Sequence, residues 1–206
     1  GDGHLDAVRT LGSSREIAVL FGDGDGTSSG LTTYSVGREP RSPVLGDVDG
    51  DGDLDVLTAN GDDDDVSVLL NNGDGAFSEK VDYEVGEDPG SLALGDLNGN
   101  GHLDVLLIAD NDDNNFSLLL NNGDGTFAEK VDIVGGKSPR DLKLGDLDGD
   151  GDLDFLTTRV GISFVDYVEV RLNNGDGTFT YSDVYDIGDD LMAIALGDLD
   201  GDGDLD

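Results

Sequence analysis

Apolar residues in this chain come in short runs, and no stretch sustains a helical period. Leu92 to Leu97, Val105 to Ala109, Phe116 to Leu120 and Phe127 to Val134 are rich in Val, Leu, Ile and Phe and are separated by Gly, Asp and Asn clusters. Such runs between turn residues predict β-strands. The same four runs return along the chain, so the pattern predicts an all-β fold of four-stranded antiparallel units. Between the third and fourth run stands Asn-Asn-Gly-Asp-Gly, which reads as a hairpin turn because Asn and Gly tolerate positive φ. Leu94, Leu106, Leu118, Leu144, Leu156 and Val170, with the Phe77, Phe127 and Phe179 that follow the hairpins, are the expected core.

The polar segment between the first and second run is more specific. Four nine-residue loops recur, at Asp47–Asp55, Asp96–Asp104, Asp146–Asp154 and Asp198–Asp206. Carboxylates or amides occupy loop positions 1, 3, 5 and 9: Asp47, Asp49, Asp51 and Asp55; Asp96, Asn98, Asn100 and Asp104; Asp146, Asp148, Asp150 and Asp154; Asp198, Asp200, Asp202 and Asp206. Glycine holds positions 4 and 6, letting a short backbone wrap hard oxygen donors around a calcium ion. Position 7 (Asp53, His102, Asp152, Asp204) is expected to offer its backbone carbonyl. Solvated Asp-Gly turns are the bland alternative, but they would not repeat four oxygen positions in register. The loops begin like an EF-hand and end differently. Thr58, Leu107 and Thr157 stand where an EF-hand needs a bidentate Glu, so position 9 must complete the shell.

Successive loops begin 49, 50 and 52 residues apart, a period typical of solenoids and propellers. Four antiparallel strands in such a period make one propeller blade. The expected division is a partial blade over 1–39 holding strands two to four, blades at 40–88, 89–137 and 138–189, and strand one with its loop at 190–206. Residues 1–6 and 201–206 carry the same part of the motif and would compete for one place in a four-bladed ring. The expectation is therefore an incomplete segment of a larger propeller or array, able to self-assemble through its terminal strands.

With 47 acidic and 11 basic residues the net charge is −36, which argues against binding nucleic acid. Clustered carboxylates repel one another in the metal-free chain, so ion binding should supply part of the folding free energy. There is no Cys, leaving calcium as the expected staple. The longest apolar run, Leu191 to Leu196, is too short to span a bilayer; no membrane insertion is expected, although a chain beginning with Gly can have lost a leader or anchor. His4 and His102 are the two histidines and share one loop position, and no nucleophile or phosphate-cradling motif is present. The carboxylates fall in register with the repeat, as scaffold ligands would, so no catalysis is expected.

The strings DVDGDGDLDVL and VSVLLNNGDGAF, with their counterparts, resemble the FG-GAP and VCBS repeats found in integrin α-subunit propellers, over nearly the whole chain. That resemblance implies a calcium-stabilised propeller with the loop joining strands one and two, in an extracellular or cell-surface protein. It does not imply one activity. Three non-catalytic readings follow: an adhesion or protein-interaction module, a structural subunit of a stalk or fibre, and a carbohydrate-binding propeller. The partner would be an extracellular protein or a glycan. A chain without Trp and with five Tyr is poor in sugar-stacking platforms. The display loops would be GSSRE (12–16), NGDDDD (60–65), DNDDNN (110–115) and RVGISFVD (159–166). The acidic runs read as solvated faces with room for an extra cation. Arg159, Ile162 and Phe164 stand out as a partner contact or, preferably, a lengthening of two strands.

Overall fold

The computed structural model describes residues 3–109, 115–136, 138–160, 166–188 and 193–205. Among these residues there are fifteen strands and no helix, and hence no helix long and apolar enough to cross a membrane. Four separate antiparallel sheets follow one another along the chain, each a meander whose neighbours in sequence are neighbours in space. The first holds β1 (Ala7–Leu11), β2 (Glu16–Gly22) and β3 (Ser28–Ser35). The second holds β4 (Pro40–Gly46), β5 (Asp55–Asn60), β6 (Asp65–Leu69) and β7 (Val81–Glu84). The third holds β8 (Pro89–Gly95), β9 (Asp104–Ala109), β10 (Asn115–Leu119) and β11 (Val131–Val134). The fourth holds β12 (Pro139–Gly145), β13 (Asp154–Val160), β14 (Asp166–Asn173) and β15 (Phe179–Gly188).

The core lies between sheets. β5 and β9 are buried along their whole length, and alternation sends successive side chains to opposite neighbours. In β9, Val105 and Leu107 pack with Leu57, Val66 and Val68 of the preceding sheet. Leu106 and Ile108 turn the other way, to Leu142 and Phe155 of the next. Val56 and Leu69 likewise reach back to Ile17 and Val36. A single sheet therefore has no core of its own, as stacked repeats require. Aromatic rings stitch the same seams: Phe77 meets Tyr34 of the preceding sheet edge-on at 5.2 Å, and Phe127 meets Tyr83 at 5.3 Å. No ladder joins the first sheet to the last among the described residues.

Several expectations are refined. Strand one begins at Pro89 and stops at Gly95, not Leu97, because Asp96 already belongs to the loop. The fourth run of the third sheet is interrupted: Phe127 makes an isolated bridge to Asn121, and the ladder resumes only at Val131. Ala128, Glu129 and Lys130 between them are poor strand formers. The corresponding segment of the fourth sheet, Thr-Tyr-Ser-Asp, stays in one ten-residue strand. Leu106, Leu118 and Leu156 are buried, whereas Leu94 and Leu144 are partly buried at the edges of the clusters. Val170 is half-buried, with Val168 taking the buried place beside it. The strand expected ahead of the last loop does not form over 193–198; in the other sheets strand one is held by strand two.

Candidate metal centres

Each loop joins strand one to strand two of its sheet, and its path is written by short-range hydrogen bonds. In the first loop both oxygens of Asp47 accept backbone N–H groups, from Gly50 at 2.8 Å and Gly52 at 3.0 Å. Asp49 Oδ1 accepts from Asp51 N at 3.2 Å, and Asp51 Oδ1 from Asp53 N at 2.8 Å. These are Asx turns, and they require positive φ at Gly50 (78°) and Gly52 (94°), where a Cβ would be strained. The third loop repeats the set through Asp146, Asp148 and Asp150. The fourth repeats it through Asp198, Asp200 and Asp202, with Asp204 N as the last donor. In the second, Asn98 and Asn100 keep the turn-forming roles, with His102 N as the last donor, but Asp96 Oδ1 takes Asn100 N at 3.0 Å where the other loops use the position 4 glycine, while its Oδ2 takes Gly101 N at 2.8 Å.

This folding brings carboxylates together against their repulsion. Oxygens of Asp47, Asp49 and Asp55 lie within 4.8 Å of one another, as do those of Asp146, Asp148 and Asp154 and those of Asp198, Asp200 and Asp202. Asp51 and Asp150 are not part of the first and second of these groups, and Asp206 lies outside the described residues. Each such cluster can hold a metal ion. The donors are all oxygen, which suits a hard cation, and each carboxylate oxygen that accepts an N–H keeps a further lone pair for the ion.

Position 9 is the anchor. Asp55, Asp104 and Asp154 are fully buried at the first residue of strand two. One oxygen of each accepts the backbone N–H of loop position 2: Val48 at 2.8 Å, Leu97 at 3.0 Å and Leu147 at 2.8 Å. The other accepts the N–H of the Asn that opens the hairpin, Asn71, Asn121 or Asn173, each at 2.8 Å. Burial pushes these three carboxyls up from the ordinary range, against the pull of the two N–H groups. Asp49 and Asp51 add repulsion at Asp55, as Asp148 and Asp150 do at Asp154. At Asp104 the repulsion comes from Asp96, and His102 works the other way.

Position 7 side chains turn away from the clusters. Asp53, His102 and Asp152 lie over Gly73, Gly123 and Gly175 of the hairpin, where a Cβ would come within 2.9, 2.6 and 2.6 Å of their side-chain atoms. The hairpin residues that composition marked as a plain turn prove to do more. Asn121 and Asn173, almost fully buried, each donate through Nδ2 to two carbonyls, one in their own sheet and one in the loop of the preceding sheet. The sequence signal for this was available: an Asn, rather than any turn residue, at the same hairpin position in three repeats. The hairpin Asp residues stay local, Asp124 accepting from Thr126 N and Oγ1, which holds its carboxyl below the usual range.

The display loops divide. In NGDDDD, Asp63 takes Arg38 Nε at 2.5 Å and the Arg38 backbone N–H at 2.7 Å, so that carboxylate is already engaged by a cation. Arg159 lies in β13; its guanidinium stands 5.1 Å over the Tyr167 ring and 3.4 Å from the buried Glu169. Ile162, Phe164 and Asp110 to Asn114 fall outside the described residues.

A family model described as the FG-GAP-like repeat matches residues 1–58, 47–107, 96–157 and 160–206. No curated protein matches the chain. Among solved structures, a 6-phosphogluconolactonase candidate from Bacteroides fragilis superposes with a TM-score of 0.62 at 13% identity, over 89% of this chain and 55% of that one. A second such candidate, from Bacteroides uniformis, gives 0.42 at 17% identity, over 88% and 70%. A biofilm matrix protein of V. cholerae gives 0.37 at 15%, over 91% and 37%. The first of these likenesses concerns the fold alone, and the chain spans about half of that protein's length.

Proposed function

The chain belongs to the FG-GAP-like repeat family, and from that premise we propose that it is a calcium-held stretch of β-propeller, a non-catalytic module for adhesion or protein interaction outside the cell. The observation that carries this reading is the convergence of Asp47, Asp49 and Asp55, repeated at Asp146, Asp148 and Asp154, on a skeleton of hydrogen bonds common to all four loops. In a chain of net charge −36, like charges assembled this closely are stabilised by a cation. Calcium is the fitting ion, through carboxylate and amide oxygens at positions 1, 3, 5 and 9 and the position 7 carbonyl. Loops tuned to about 10⁻⁴–10⁻³ M, as in extracellular modules, fill outside cells and stay empty in the cytosol.

The ion's role is structural: it neutralises the loops and fixes the start of strand two. The sheets are the blades, and the loops at their far ends present the binding surface. The recurring aromatic residues Phe77 and Phe127 are engaged between sheets, which favours a protein partner over a sugar.

Calorimetric titration with calcium tests the reading. Saturable binding at submillimolar to millimolar calcium, with a rise in melting temperature, is expected; heats indistinguishable from dilution at that concentration would end it. Retention on protein-coated surfaces in calcium, compared with a glycan array under the same conditions, separates the protein partner from the sugar.

A further inference from the structure

The three position 9 carboxylates belong to one continuous line of hydrogen bonds that crosses two sheet boundaries. Asp55 holds Val48 N at 2.8 Å. The carbonyl of Val48 accepts Asn121 Nδ2 at 2.8 Å, from the hairpin of the next sheet. The N–H of Asn121 is bound at 2.8 Å by Asp104, which also holds Leu97 N at 3.0 Å. The carbonyl of Leu97 accepts Asn173 Nδ2 at 2.9 Å, and Asn173 N is held at 2.8 Å by Asp154. Asn121 and Asn173 are 4% and 5% exposed, so water does not compete for these bonds. Asn121 is further fixed by donating to Leu103 O at 2.9 Å and accepting from Gly123 N at 2.8 Å.

We propose that Asn121 and Asn173 couple the metal loops, so that the first three bind calcium with positive cooperativity. The proposal rests on the calcium reading above and adds to it a mechanism of communication. An ion in the first loop immobilises Asp55 and, through it, Val48. The Val48 carbonyl then orients Asn121, whose N–H positions Asp104 as a ligand of the second loop. The ordering cost borne at one site is not borne again at the next, which is the condition for cooperativity without a large change of shape. The coupling is reciprocal. The second loop gains most. It alone has amides at positions 3 and 5, halving its ligand charge, and it is wired to fully charged loops on both sides. Asn121 and Asn173 are positioning residues, since neither enters a metal shell.

The test uses loop-resolved titration. Gly52, Gly101 and Gly151 each donate their N–H to the position 1 carboxylate of their own loop, so their amide resonances report the loops separately. The first loop is emptied by Asp47→Asn with Asp49→Asn, which keeps the turn-forming oxygen at position 3 and one of the two at position 1. The calcium midpoint read at Gly101 should then rise about fivefold or more, and this shift should vanish in an Asn121→Ala background. Asn173→Ala should leave that shift in place while freeing Gly151 from the state of the second loop. Asn71→Ala is the structural control, because the Asn71 side chain donates to Leu54 O of its own sheet; it should leave the coupling intact. A Gly101 midpoint unchanged on emptying the first loop would overturn the proposal, with no change needed at Asn121. A shift that persists in Asn121→Ala would overturn the assignment to Asn121. If none of the three glycines shows a saturable shift in the unmodified chain, the calcium reading falls, and this proposal with it.

Discussion

The first and second loops share a skeleton and differ in charge. Asp49 Oδ1 takes Asp51 N at 3.2 Å, and Asn98 Oδ1 takes Asn100 N at 3.1 Å. Asp51 and Asn100 close the next turn at the same distance, 2.8 Å. Asp55 and Asp104 are equally buried and hold equivalent N–H groups. The turns at positions 3 and 5 therefore survive the exchange of carboxylate for amide, because an Asx turn needs an oxygen and not a charge, while Oδ1 of position 1 takes Gly50 N in the first loop and Asn100 N in the second. What changes is the formal charge offered to an ion, −4 in the first loop and −2 in the second at positions 1, 3, 5 and 9. Shape and charge are separately encoded: glycine and side-chain oxygens write the first, carboxylate count writes the second.

The largest expected effect removes the ion from both loops at once. Each filled site contributes roughly 2.7 kcal/mol at a hundredfold excess over its dissociation constant. Excess chelator should then lower the melting temperature on the order of 15 °C or more, and an unchanged calorimetric melt would remove the ion from the account of stability. The second effect separates skeleton from charge. In chelator, Asp55→Ala and Asp104→Ala should each cost about 1–3 kcal/mol, from buried N–H groups left without an acceptor. In calcium, Asp55→Ala should cost more than Asp104→Ala, since the first loop has the tighter ion to lose. Urea unfolding in both conditions checks this, and a larger loss at Asp104 would mean that geometry outweighs charge.

A third test converts one loop into the other. Asn98→Asp with Asn100→Asp should tighten calcium at the second loop on the order of tenfold, followed at the Gly101 amide, while lowering the melting temperature in chelator through added repulsion at Asp104. Tightening without that metal-free penalty would mean that carboxylates at positions 3 and 5 do not repel position 9 as Asp49 and Asp51 repel Asp55. The smallest effect is a difference in pH dependence. Burial raises the folded-state carboxyls of Asp55, Asp104 and Asp154 above their unfolded value of 3.8. Between that value and the raised one each of these three carboxyls binds more protons in the folded, metal-free chain than in the unfolded one, so its contribution to stability rises as pH falls through the raised pKa and gains nothing further below 3.8, opposite to carboxyls such as Asp63 and Asp124 that are held below it. In calcium the same protons compete with the ion, so acidification should destabilise. Melting curves against pH should fall more steeply on acidification in calcium than in chelator; parallel slopes would refute the linkage.

Much of this was legible without coordinates. The four loops, the hairpins and the placing of strand two directly after position 9 follow from patterns spanning a few residues, and the structure has β5, β9 and β13 beginning at Asp55, Asp104 and Asp154. Local strand length was less legible. Phe127 to Val134 reads as one strand, yet Ala128 to Lys130 leave the ladder, and Val168 rather than Val170 is the more buried neighbour. The first outcome follows from poor strand formers inside the run, and the second from what packs against each side chain.

The sequence by itself determined the period, the strand-loop-strand order and the oxygen donors, because Asx turns and strand alternation act over two to five residues. Only the tertiary structure decided which sheet covers which, and that a hairpin Asn is a clamp between repeats. Asn121 reaches a carbonyl 73 residues earlier, and Asn173 one 76 residues earlier. A turn residue and an inter-sheet clamp look alike in sequence; the difference lies in a partner brought near by stacking, which no local pattern records.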